Sequence, residues 1–374
     1  MRELIIVGGG IGGLALAAGL KNRGMHVQVL EAAPELKPVG AGILLANNAQ
    51  KALDHIGILS NIVPLGQSLR EGAILNQKGN TLGKQLTLED ARPWLGIHRG
   101  ALQQGLLGPL EENQVVLGRR VVNVKVETDR VVLTTEQGET HEAQHIIAFD
   151  GIHSPFREAV GDTRSIRYSG YTCWRGLAEG WDGPKEYFSE TWGKGKRFGI
   201  VPIQDRTYWF ATANAPHRDP KMKAMDGAAL KTVFADFHQE VFELLDLTPK
   251  VIWNDIEDIA PVKKLVYGRI LLAGDAGHAT TPNMGQGACM ALEDAATLTS
   301  LLTKNLNWDE VGRRFEQKRL RRTAWITKQS WQLGKMAQWA HPLAASFRNS
   351  MTKMTPDSLS QGLLRKLANV TFEA

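Results

Sequence analysis

Three glycines and one carboxylate near the N-terminus carry the first chemical signal. Gly8, Gly10 and Gly13 form a G-x-G-x-x-G pattern with Ile11 and Gly12 inside it, and Glu31 follows at the expected distance. Gly8 permits a tight turn, and the missing Cβ of Gly10 lets a pyrophosphate lie against the backbone. Gly13 allows a helix to pack close to a sheet. Free N–H groups at that helix start, with the positive end of its dipole, receive phosphate charge. A carboxylate at Glu31 accepts hydrogen bonds from ribose hydroxyls and repels a 2′-phosphate, so the pattern points to NAD or FAD.

Two later clusters have related chemistry. Asp150-Gly151 comes with Ser154 and Arg157, and Gly274-Asp275 comes with His278, Pro282 and Gly285-Gln286-Gly287. Each follows a short apolar run (residues 145–149 and 269–273) that reads as a buried strand, and the ends of such strands are where α/β proteins bind ligands. Asp275 can take a polyol hydroxyl, and the glycines at 285 and 287 let a second helix start approach a ligand.

The elements that must position these residues are legible. Residues 4–7 read as a strand, 14–20 as a small-residue helix ending near Gly24, and 27–30 as a second strand. The Pro- and Gly-rich stretch 34–43 reads as a loop, Asn47 as the cap of a helix that stops at Gly57, and residues 69–75 with Thr81 onward as a hairpin around Gly79. His98-Arg99 opens a further helix, and 115–117, 121–126 and 130–135 read as short β pieces. Residues 168–209 hold Trp174, Trp181, Trp192 and Trp209 with four of the five tyrosines, and the alternation from Tyr208 onward suggests a mixed sheet. Towards the C-terminus, a basic band (Arg313-Arg314, Lys318-Arg319, Arg321-Arg322) precedes Trp325, Trp331 and Trp339. It reads as a helix packed on the nucleotide domain with a solvated basic face. Pro342 interrupts it and a polar tail follows.

Composition bounds the answer. The 374 residues suffice for about two domains, and 43% hydrophobic with 22% charged residues is ordinary for a globular chain. No apolar run reaches membrane-spanning length, the N-terminus lacks a signal-peptide layout, and Cys173 and Cys289 cannot build a disulfide framework. A cytoplasmic protein with no metal, no nucleic-acid partner and no membrane contact is expected. The net charge of +5 favours anionic small molecules.

Taken in order, the three strand-end motifs resemble those of the class A flavoprotein monooxygenases, the aromatic-ring hydroxylases with the p-hydroxybenzoate hydroxylase fold. The resemblance runs from residue 2 to about 330 and is closest in look to the salicylate, urate and zeaxanthin-type members. It implies an α/β fold. A discontinuous FAD-binding Rossmann-like domain spans 1–70, 98–162 and 258–330, and an inserted mixed β-sheet domain spans 71–97 and 163–257. A C-terminal helical extension covers 331–374. The implied chemistry is hydroxylation or epoxidation of a small aromatic or unsaturated substrate, using NADH or NADPH and O2, through a C4a-hydroperoxide of non-covalent FAD. Glu31 would hold the adenosine ribose, Asp275 the ribityl chain and Arg99 the pyrophosphate or flavin. Asp150 and Arg157 would touch both FAD and the nicotinamide cofactor, and Pro282 to Gly287 would lie beside the flavin ring.

No conventional catalytic constellation is needed for this chemistry, since the cofactor carries it. Arg175, Arg197, Tyr208 and His278 are candidates for contact with the reacting groups, although each also reads as a structural residue, as do Arg99 and Arg157. The rival functions are a flavin-dependent reductase or dehydrogenase on the same fold, and a non-catalytic FAD-binding protein. A monomer or a homodimer fits equally.

Overall fold

The computed structural model describes residues 2–36, 42–86, 88 and 91–373, which three sheets organise. The eight-stranded sheet contains β1 (Arg2–Val7), β2 (Gln28–Leu30), β8 (Val115–Val116), β9 (Val121–Val126), β10 (Val131–Thr135), β11 (Thr140–Ala148), β17 (Val266–Tyr267) and β18 (Ile270–Leu272). Its middle runs β18-β11-β1-β2-β8 and is parallel throughout. A parallel sheet is covered on both faces, so its strands are apolar on both sides. In β1, Ile5 and Val7 join the core with Leu30, Ile146 and Leu272, while Leu4 and Ile6 join the one formed with helix α1 (Ile11–Lys21).

The seven-stranded sheet has the order β16 (Val251–Ile259), β12 (Ile166–Glu179), β15 (Arg206–Asn214), β14 (Lys196–Ile203), β13 (Tyr187–Trp192), β5 (Glu71–Asn76) and β6 (Thr81–Leu86). The hairpin expected around Gly79 is β5–β6. One face packs Trp174, Phe198 and Trp209 against helices α7 (Gly227–Val233) and α8 (Gln239–Asp246). The opposite face carries Tyr171, Cys173, Tyr208 and Phe210. It meets a small sheet of β3 (Gly42–Leu45), β7 (Trp94–His98) and β4 (Gly66–Leu69), where the ring of Tyr208 lies directly over Gly42.

Helices α2 (Asn47–His55), α4 (Arg99–Leu107) and α10 (Gly287–Leu302) cover the first sheet together with α1. Short helices α3 (Leu59–Ile62), α5 (Pro155–Ala159), α6 (Pro220–Lys223) and α9 (Asp275–His278) lie in connections. The chain ends in α11 (Trp308–Ala337), α12 (Pro342–Met354) and α13 (Asp357–Ala368).

Four expectations need correction. Asn47 is the first residue of α2 rather than its cap; Ala46 occupies the cap, and the Asn47 side chain binds Arg92 O and Trp94 Nε1 instead. Gly42 and Ile43 begin a strand, because β7 offers them a ladder that local sequence does not reveal; the rest of that loop reading includes residues 37–41, which lie outside the described residues. The basic band of α11 is not wholly solvated, since Arg319 is buried and Arg322 nearly so, both paired with acids of α10. The tail after Pro342 is two helices, and beside its exposed serines and charges it presents six exposed large apolar side chains.

Candidate active site

Four neighbouring parallel strands place the sequence motifs side by side at their carboxyl ends. Gly8 follows β1, Glu31 follows β2, Asp150 lies two residues past β11, and Gly274-Asp275 follows β18 closely. The backbone stitches these exits together: Gly8 N donates to Leu30 O, Phe149 N to Val7 O and Ala273 N to Ala148 O.

The glycines of the first motif divide into two kinds. Gly8 has φ +108°, and a Cβ there would lie 2.4 Å from Phe149 O; at Gly13 it would lie 2.0 Å from Gly8 O. These positions serve packing. At Gly10 a Cβ would meet nothing within 4 Å, so the open side of the loop faces the cleft. No side chain caps α1, whose N-cap is Gly10, and its first amides remain available to an anion. Ile11, Gly12 and Gly13 form that first turn and are buried. Glu31 braces the loop by accepting from Gly9 N (2.5 Å) and Ala33 N (2.7 Å), and each carboxylate oxygen retains capacity for a further donor.

In the second motif, Ser154 caps α5 by accepting from Phe156 N at 3.2 Å. Arg157 is 8% exposed and donates to Ile152 O at 2.5 Å, so it is not a solvated surface charge; its Nη1 has no partner among the described residues. Both carboxylate oxygens of Asp150 are buried without a hydrogen-bond donor in bonding geometry among the described residues. Burial pushes this carboxyl up to about 7, against the pull of Ser154 and Arg157. A buried, unsatisfied carboxylate is costly and marks a place where a partner belongs.

The third motif rests on a buried charge network. Gly274 N donates to Asp294 Oδ2 (2.8 Å), which also pairs with His278 Nε2 (2.6 Å), while Arg319 Nε reaches Asp294 Oδ1 (2.6 Å). Burial alone would raise Asp294, but His278, Arg319 and the Gly274 N–H hold its carboxyl down at about 2. Neighbouring Glu293 accepts from Arg319, Arg322 and Asn48. Asn48 also donates to Gln286 Oε1 (2.8 Å), which ties the network to the loop before α10. His278 is 3% exposed and faces α10, so its ring is enclosed behind the motif rather than presented to the cleft. Asp275 is exposed on the other side. The protein crowded around it raises its carboxyl, with His278 and Arg99 pulling the other way. Arg99 is exposed at the start of α4, with its charge acting on Asp275.

Pro282 to Met284 form a tight turn, Gly285 takes φ +63°, and Gln286 caps α10, whose first residue is Gly287. Asn283 clamps the loop between two layers. It accepts from Tyr171 Oη (3.0 Å) and Arg197 Nη2 (2.9 Å) and donates to Thr281 Oγ1 (2.9 Å) and Ser330 O (2.8 Å). Arg197 is itself buried and paired with Glu190 at 2.8 Å, so it fixes the loop from beneath. Arg175 donates to Asn254 Oδ1 and lies beside the buried Tyr208, whose phenol is raised by burial. Trp174 and Trp209 face the opposite side of the sheet, so the aromatic residues on this side are Tyr171, Tyr208 and Phe210.

Asp294, Asn48 and Asn283 escaped the sequence reading, as did Gln103, which donates to Gly9 O at 2.9 Å. Their partners lie far off in sequence, and only the acidic pair Glu293-Asp294 in an apolar helix signalled buried charge. The strand-end cluster fits the FAD that the resemblance implies. The cradle at Gly10 is open, Asp150 is buried without a partner, and α1 and α10 begin at the cleft.

Comparison with known proteins agrees. The FAD binding domain family model matches residues 1–330. Aurachin C monooxygenase/isomerase of Stigmatella aurantiaca is 35% identical, with 94% of each chain covered. The 2-heptyl-3-hydroxy-4(1H)-quinolone synthase of Pseudomonas aeruginosa is 32% identical, with 97% of each covered. Klebsiella pneumoniae HpxO, solved with FAD and uric acid, superposes with a TM-score of 0.88 at 26% identity, covering 98% of this chain and 96% of that one.

Proposed function

This chain belongs to the FAD-binding domain family of flavoprotein monooxygenases, and on that premise we propose that it inserts one oxygen atom into a flat, fused nitrogen heteroaromatic ring of the quinolone kind. The bound FAD supplies the redox chemistry, taking electrons from NADH or NADPH and activating O2. The protein binds, orients and excludes water. The open face of Gly10 and the start of α1 take the pyrophosphate, Glu31 the adenosine ribose, and Arg99 with Asp275 the chain that leads to the ring system. Asp150 and Arg157 serve the second motif, where a donor from the cofactor or from the nicotinamide satisfies the buried carboxylate. Residues Pro282 to Gly287 would hold the α10 N-terminus towards a bound flavin, where its dipole would favour the negative charge gained on reduction, and Asn283, Arg197 and Tyr171 keep that loop in place.

The seven-stranded sheet supplies the substrate surface. Tyr208 and Phe210 offer flat apolar contact on its inner face, and Arg175 and Tyr208 offer the polar anchors that orient a ring. His278 is a positioning residue in this reading. The quinolone class is favoured by a relative matched over 97% of each chain and named for a 2-heptyl-3-hydroxy-4(1H)-quinolone product. Dependence on NAD(P)H suits a cytoplasmic enzyme.

The observation that carries the proposal is the meeting of Gly10, Asp150 and Asp275 at adjacent strand ends. The test is a panel of 2-alkyl-4(1H)-quinolones, urate, salicylate and 3-hydroxybenzoate, scored for NAD(P)H use, O2 use and product mass. A quinolone that accelerates both and emerges one oxygen heavier supports it. Turnover that persists without O2 makes the protein a reductase, and a preference for urate or a benzoate removes the quinolone assignment.

A further inference from the structure

Seven of the eleven exposed large apolar side chains among the described residues fall between residues 339 and 363. They are Trp339 (38% exposed), Leu343 (76%), Phe347 (61%), Met351 (52%), Met354 (81%), Leu359 (66%) and Leu363 (43%). On α12 the spacing is i, i+4, i+8 and i+11, which places Leu343, Phe347, Met351 and Met354 along one stripe. On α13, Leu359 and Leu363 are one turn apart.

This stripe does not arise from a loosely held helix. The inner face of α12 is anchored by Arg348, which is 1% exposed and donates to Ala337 O (2.6 Å) and Gly193 O (2.9 Å). Its guanidinium lies 5.3 Å from the Trp192 ring centroid. Ala345 is buried beside it, and Thr352 packs over Gly83 of β6, the edge strand of the seven-stranded sheet. With the polar contacts of Arg348 spent inward, the outer face presents these four large apolar side chains among Ser346, Ser350 and Lys353, more apolar surface than a helix that borders water needs.

The charges beside the stripe identify its occupant. The exposed ionisable residues of α12 and α13 are Lys353, Arg365 and Lys366 against the single acid Asp357. Lys366 extends over the Trp325 ring at 4.0 Å. An apolar face flanked by cations, with an exposed tryptophan at its margin, is the pattern of a helix lying in the interface of an anionic bilayer. A two-fold contact with a second copy would bring like charges together across an apolar seam. No helix among the described residues is long and apolar enough to cross a membrane, so the contact is peripheral.

We propose that α12 and α13 dock the protein on the surface of an anionic lipid membrane, with Leu343, Phe347, Met351, Met354, Leu359 and Leu363 entering the acyl boundary. This departs from the expectation of no membrane contact and does not depend on the identity of the substrate.

Flotation of the FAD-loaded full chain with phosphatidylcholine vesicles, with and without phosphatidylglycerol, tests it. Two double variants probe the helices separately: Phe347→Asp with Met351→Asp, and Leu359→Asp with Leu363→Asp. All four side chains are exposed, and retained FAD with an unchanged melting curve verifies the fold. The expected result is that the wild type floats with anionic vesicles and much less with neutral ones. Each double variant should then partition at least about tenfold more weakly, since each withdraws two apolar side chains from lipid. A wild type that stays unbound with anionic vesicles overturns the proposal. So does a variant that floats like the wild type, or a dimer that the aspartates split while no form binds vesicles.

Discussion

Replacing Asp150 with Asn should stabilise the flavin-free protein while weakening its hold on FAD. In the fold the carboxyl is buried without a hydrogen-bond donor and titrates near 7 rather than its ordinary 3.8. The sign follows from proton binding. Between those two values the folded protein holds a proton that the unfolded chain has released, so stability falls as pH rises, and the penalty is complete above 7. A shift of this size corresponds to at most about 4 kcal/mol, and relaxation of the cleft leaves about 1–3 kcal/mol to recover. Asn has nearly the same shape and no charge to desolvate. Apo Asp150→Asn should therefore resist urea better than apo wild type at pH 8, and the gain should shrink as the pH is lowered towards 4. Flavin fluorescence titration should show weaker binding, or rapid-mixing kinetics slower reduction by NAD(P)H. A variant less stable than wild type at pH 8 would show that Asp150 holds the fold together. A more stable variant with unchanged flavin binding and reduction would refute its place in the site.

The glycines of the first motif should separate by readout. Gly10→Ala should fold normally and lose FAD affinity, whereas Gly13→Ala, whose Cβ would lie 2.0 Å from Gly8 O, should give little folded protein, as circular dichroism and soluble yield would show. Asp294→Asn leaves Arg319 short of one buried counter-ion and should cost about 3–5 kcal/mol, read as a lowered melting temperature with FAD released at the transition. In the wild type, the depressed Asp294 carboxyl contributes stability that is present above pH 3.8 and lost as pH falls through about 2. Cys289 is fully buried, and burial pushes its thiol up to about 12, while Cys173 is raised in the same direction; neither should react with a thiol reagent at pH 8 until the protein is unfolded.

The glycine turns at the strand ends were legible because their determinants are local. A strand, a turn that only glycine can make and a helix start lie within a few residues of one another, so type and spacing suffice to identify Gly8, Gly10 and Gly13, and likewise Gly274, Gly285 and Gly287. The α/β architecture with an inserted sheet came from the family resemblance that these local motifs carry. Long-range pairing decided the rest. Gly42 and Ile43 became a strand because β7 lies beside them, and Trp174 and Trp209 turned away from the cleft because helices α7 and α8 cover that face. Arg319 and Arg322 in a basic band look identical to solvated charges until α10 brings Glu293 and Asp294 within 2.6 Å. His278 was tempting in sequence and is enclosed in space. The apolar stripe of α12 was hidden because a helix reveals which side is outward only when something fixes the other side, and here Arg348 does so through Ala337 O and, far away in the chain, Gly193 O. A sequence determines what its residues can do with near neighbours; which charges are buried and which faces stay open follows from packing between distant segments, where one burial cost decides against another.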